Sequence, residues 1–143
     1  GEIEEEILAE NADFAPTISH FDYKDSHIYG SKKSQDNAHI AWSSSLTDNN
    51  YSFKWITNVT TNNEYTLVTE LFDEERYNYM YMFMNVMDPY YGGEQTVTIT
   101  LDSSVKRFYV YGQDGSVMEI VTGNTYTVTL TAGQAIYIMP CAW

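Results

Sequence analysis

Gln95-Thr-Val-Thr-Ile-Thr-Leu101 alternates without a break, with Val97, Ile99 and Leu101 on one side and threonines on the other. Successive side chains of a strand point to opposite faces, so this stretch reads as a half-buried strand with a solvated threonine face. Thr125-Tyr-Thr-Val-Thr-Leu130 repeats the pattern with Tyr126, Val128 and Leu130. Around these two lie further strand-like runs at Tyr51–Val59, Glu64–Phe72, Tyr77–Val86, Lys106–Tyr111, Val117–Val121 and Gln134–Met139. Turn-rich breaks such as Thr61-Asn-Asn63, Gln113-Asp-Gly115 and Gly123-Asn124 separate them. About eight short strands without intervening helices predict an all-β, jelly-roll-like antiparallel β-sandwich.

The strand pattern thins toward the N-terminus. Residues 17–50 are polar and irregular, with short β-prone pieces at Ile18–Tyr23 and His39–Trp42. Residues 1–16 are expected to form a short acidic helix or linker. Ile3, Ile7 and Leu8 fall at helical spacing, glutamates crowd the first turn, and Pro16 ends the run. A single sandwich domain is then expected over residues 17–143. The start, Gly1-Glu-Ile-Glu-Glu-Glu6, is the opposite of a basic signal-peptide start. A bare glycine without Met favours a segment cut from a longer polypeptide.

A chain of 143 residues is about one domain long and buries about two thirds of its unfolded surface, so the fold needs no disulfide or metal to hold it. Seven basic residues against 20 acidic ones give a net charge of −13, of which Glu2, Glu4, Glu5, Glu6, Glu10 and Asp13 carry six. The remaining −7 is still repulsive to nucleic acid, anionic lipid and polyanionic polymers. The longest apolar run, Tyr79 to Met84, is too short to span a membrane as a helix. Cys141 is the only cysteine; it has no internal disulfide partner and reads as a structural or incidental thiol.

Tyrosine supplies 13 residues, and its flat apolar face with a polar tip tolerates half-burial. Tyr77–Val86 is apolar at both parities: Met80, Met82, Met84 and Val86 on one face, Tyr77, Tyr79, Tyr81 and Phe83 on the other. Such a strand is covered on both faces or shows one of them to a ligand. Methionine packs without needing polar partners, so the Met face is assigned to the core and the Tyr face is expected to look outward. Residues i and i+2 of a strand stand about 6.6–6.8 Å apart, close to one sugar unit of an extended glycan, so Tyr77, Tyr79 and Tyr81 can each underlie a pyranose ring. Arg107, Tyr109 and Tyr111 form a second row, and Asp88-Pro-Tyr-Tyr-Gly-Gly93 places Tyr90 and Tyr91 at a binding-loop tip. The alternative is that residues 17–50 or a neighbouring domain cover the Tyr face.

Catalytic signatures are missing. His20, His27 and His39 show no HxH, HxxxH or HExxH spacing, and there is no GxSxG, P-loop or GxGxxG. Asp73, Glu74 and Glu75 read as a solvated corner; a hydrolase needs two opposed carboxylates, which spacing alone cannot establish. Carboxylate-rich loops leave calcium open, but no DxDxDG run supports it, so no cofactor is expected.

One further pattern runs from Glu64 to Pro140. Thr66-Leu-Val-Thr-Glu-Leu-Phe-Asp73 leads to an aromatic strand closing on Asn, Tyr79-Met-Tyr-Met-Phe-Met-Asn85. Thr96-Val-Thr-Ile-Thr-Leu101 and Tyr109-Val-Tyr-Gly112 follow, before Tyr126-Thr-Val-Thr-Leu-Thr-Ala-Gly-Gln-Ala-Ile-Tyr-Ile138. This order resembles the small β-sandwich accessory domains that follow the catalytic barrel in many secreted bacterial glycoside hydrolases. The resemblance implies a non-catalytic, extracellular module beside a catalytic domain in the same polypeptide. Its expected ligand is a neutral plant-type polysaccharide, since the negative charge would repel pectate. The competing expectation is a structural module that braces the catalytic domain and has no ligand of its own.

Overall fold

The computed structural model describes residues 18–29, 53–61, 66–87, 90 and 93–141. The expected helix over 1–16, the His39–Trp42 piece, Tyr91, Trp42 and Trp143 lie outside them. After a 3-10 turn at Ile18–His20 the described residues form nine strands: β1 (Asp22–Tyr29), β2 (Ile56–Thr61), β3 (Thr66–Asp73), β4 (Asn78–Asn85), β5 (Gln95–Leu101), β6 (Arg107–Tyr111), β7 (Val117–Thr122), β8 (Thr125–Leu130) and β9 (Ala135–Cys141). They form two antiparallel sheets, one ordered β1-β3-β4-β9-β6-β7 and the other β2-β5-β8. The all-β sandwich is as expected. Strand β1 is an addition, formed in sequence that reads as too polar for a strand. Among the described residues no helix is long and apolar enough to cross a membrane.

In the small sheet the alternation does what the sequence dictates. Val97, Ile99 and Leu101 are buried, while Thr96 and Thr98 meet Thr129 and Thr127 across the outer face at 3.1 Å. Opposite them, the large sheet contributes Val68, Tyr81, Phe83, Phe108, Val110, Ile136 and Ile138 to one continuous core.

The two faces of β4 are the reverse of the expected assignment. Tyr81 and Phe83 are fully buried between the sheets, and Tyr79 packs against the same core. The methionines line the outer face of the large sheet. There Met80 joins Phe21, Tyr109, Tyr111, Met139 and Cys141 in a second buried cluster, with Ile18 of the 3-10 turn packed against it. Both faces of β4 are therefore apolar for the same reason, that each has a cover near the Met80 end. Tyr81 goes inside because its hydroxyl finds partners there, donating to the Glu70 carboxylate at 2.6 Å and accepting the Trp55 backbone N–H at 2.9 Å. The Lys54 N–H donates to the same Glu70 oxygen at 2.8 Å.

A second polar knot ties the other end of β4 to the small sheet. Asn85 is fully buried and donates to the carbonyls of Gly93 and Leu130 at 2.8 and 3.0 Å. Its amide oxygen accepts from Gln95 and from the Met87 N–H, so all four of its bonding positions are filled. Gln95 in turn accepts from the Thr66 and Thr61 hydroxyls. The Asn that closes the aromatic strand is a structural clamp.

Replacing Tyr81 with Phe removes the hydroxyl but keeps the ring, leaving the Trp55 N–H and the Glu70 carboxylate short of a partner inside the sandwich. Urea unfolding is expected to show a loss of about 1–3 kcal/mol. A loss of under 0.5 kcal/mol would mean the hydroxyl is solvated.

Candidate functional site

The β3–β4 connection turns through Glu74, Glu75, Arg76 and Tyr77. Asp73, whose side chain is almost wholly buried, organises it by accepting from the Glu75 and Arg76 N–H groups and from the Arg76 guanidinium at 2.8 Å. Tyr77 closes the turn at φ 55°, the one residue besides glycine with positive φ among those described. That left-handed backbone costs a tyrosine about 1–3 kcal/mol, and glycine or asparagine is the usual occupant. Its side chain is 79% exposed.

Behind Tyr77 stands an aromatic wedge. The Phe72 ring lies 6.4 Å from Tyr77 at 66° and 4.7 Å from Tyr79 at 42°. The Lys24 ammonium sits 5.6 Å from the Phe72 centroid and 5.0 Å from that of Tyr79, and donates to the Tyr79 hydroxyl at 3.3 Å. Glu70 is 4.0 Å from the same ammonium. Lys24 sits where β1 shifts register, between Tyr23 and Asp25. The corner thus carries one open ring against Phe72, which in turn packs on Tyr79 beside the Lys24 cation. Beside the same turn, a cleft of about 310 Å³ is lined by His20, Asp22, Asp73, Glu74, Glu75 and Arg76. Carboxylates outnumber cations around the corner, so it repels anions and is rich in hydrogen-bond acceptors.

The expected binding rows do not survive as rows. Of Tyr77, Tyr79 and Tyr81, the first is open, the second half-buried beside Lys24 and the third in the core. Tyr109 and Tyr111 do share a face with Arg107, and their rings stack at 6.4 Å, but both are buried in the outer-face cluster. Arg107 lies across from Cys141, whose thiol burial pushes up to about 11. Tyr90 is exposed beyond the far end of β4, and Tyr91 lies outside the described residues. Sequence patterning does not single out Phe72 and Lys24 as site residues. The one signal for Phe72 is its place two residues beyond Glu70 on the inward parity of β3, and a bulge hides any signal for Lys24.

A second feature lies on the outer face of the large sheet, beyond the Met80 cluster. Tyr23, Leu67, Thr69, Met82, Met84, Val86 and Met87 line an open apolar groove of about 510 Å³. The Ser26 and Thr69 hydroxyls, 3.0 Å apart, are its polar patch. Among the described residues no group of three or more His, Cys, Asp and Glu side chains is arranged to hold a metal ion. The chain matches no family model, no curated protein and no solved structure.

Burial alone would raise the Asp73 carboxyl, but the Arg76 guanidinium and the two turn N–H groups outweigh it and hold the group below its usual value. Its contribution is therefore present above the unfolded carboxylate value of about 4 and is lost as pH falls through the lower folded value. Thermal melts of wild type and Asp73→Asn are expected to converge as pH drops from 5 to 2. A gap that stays constant over that range would show that the carboxylate charge does not matter.

Proposed function

We propose that the protein is a non-catalytic β-sandwich module that binds a neutral glycan at the Tyr77 corner. The observation that carries this reading is the strained, exposed Tyr77. A hairpin turn holds a tyrosine where glycine would be easier and presents its ring to solvent against Phe72. Strain of this kind persists where a side chain has a task. Sugar C–H faces stack on such a ring, and the adjoining carboxylates accept hydroxyl hydrogen bonds. The setting outside the cell, beside a glycoside hydrolase catalytic domain, rests on the resemblance over residues 64–140 and belongs to the same proposal.

One observation favours a second reading, that of a brace for an adjoining domain. The methionine-lined groove on the outer face is the kind of adaptable apolar surface that a neighbouring polypeptide covers.

The test is affinity electrophoresis against hydroxyethylcellulose, mixed-linkage β-glucan, xyloglucan and galactomannan. Retention by at least one is expected, with Tyr77→Ala weakening it at least tenfold while leaving the chain folded with a cooperative thermal melt. Silence across the four, or full retention by Tyr77→Ala, would overturn the reading.

A further inference from the structure

We infer that the Tyr77 corner receives a single pyranose ring, at a chain end or on a side branch, and not a run of sugars laid along the sheet. This rests on the glycan-binding reading and sharpens it. A site for an extended chain needs several ring faces open in one plane at successive sugar spacings. The corner has its rings tilted toward one another, 42° between Phe72 and Tyr79 and 66° between Phe72 and Tyr77. Lys24 lies against both Phe72 and Tyr79, which leaves Tyr77 as the ring with a free broad face.

The next ring along the row is out of reach, because Tyr81 is fully buried and its hydroxyl is held by Glu70 and Trp55. The other exposed rings among the described residues, Tyr23 and Tyr90, do not extend the platform either. Tyr23 is paired with Leu71 and belongs to the outer face of the sheet. Tyr90 follows the far end of β4, whose eight residues span about 25 Å at strand rise. The adjoining cleft, about 310 Å³, sits at the lower end of the range for small-molecule sites. A hairpin corner of this shape offers stacking and hydroxyl contacts to one ring and lets the rest of the polymer run into solvent.

Calorimetry on the whole chain, with gluco-, manno- and xylo-oligosaccharides of one to six units, reads the number of rings engaged. The expected result in the series that binds is an association constant that levels off by the disaccharide and changes less than twofold from two to six units. Tyr77→Ala should abolish the signal at every length and Tyr77→Trp should keep it. An association constant that rises tenfold or more between two and six units would overturn the inference while leaving glycan binding intact. So would retention by the unbranched mixed-linkage β-glucan with no response to a hexasaccharide cut from it, or retention by a branched polymer that survives removal of its side branches without any oligosaccharide response. Absence of binding to all oligosaccharides and polymers would overturn the glycan reading itself, and this inference with it.

Discussion

The hydroxyl of Tyr81, held between the Glu70 carboxylate and the Trp55 N–H, decides which way β4 faces. A strand with apolar side chains at both parities has no preferred face on hydrophobic grounds alone, because either one gains from burial. A buried carboxylate breaks that tie. Glu70 stands directly across from Tyr81 in the β3–β4 register and points into the sandwich, where it needs donors to be tolerated. Tyr81 and the Lys54 N–H supply them. Once Tyr81 is inside, the pleat sends Met80, Met82 and Met84 to the other side of the sheet.

The remaining features of the large sheet follow from that choice. The outer face becomes apolar and divides in two. The Met80 end is sealed by Phe21 with Tyr109, Tyr111 and Met139, and the Met84 end is an open groove. The inner face carries Phe72 and Tyr79 out past the core toward the hairpin, where Lys24 caps them and Tyr77 emerges. At the opposite end, Asn85 and Gln95 bind the two sheets together by side-chain bonds that leave the Asn amide no spare capacity. Both polar knots specify register, since shifting β4 by one residue would bury Met and expose Tyr81 and Asn85.

Strand positions were legible where one face is polar. The Thr alternation of β5 and β8 states both the structure and the face. What could not be read was sign and register. β1, Asp22-Tyr-Lys-Asp-Ser-His-Ile-Tyr29, is polar enough to pass for a loop, and it becomes a strand because β3 offers a complete edge to pair with. The aromatic parity of β4 reads as a continuous row, but its orientation depends on Glu70, a residue in another strand. The candidate site was legible in one ring, Tyr77, and in its half-buried neighbour Tyr79. Its supporting members come from a register opposite and from a bulge, and neither leaves a mark in local composition.

The tyrosines divide between open surface and buried core, and nitration reads that division. Tetranitromethane treatment of the folded protein, mapped residue by residue by mass spectrometry, is expected to modify Tyr77, Tyr23 and Tyr90 rapidly, with Tyr81, Tyr109 and Tyr111 protected until the chain is unfolded. Modification of Tyr81 in the native protein at the rate of Tyr77 would contradict it.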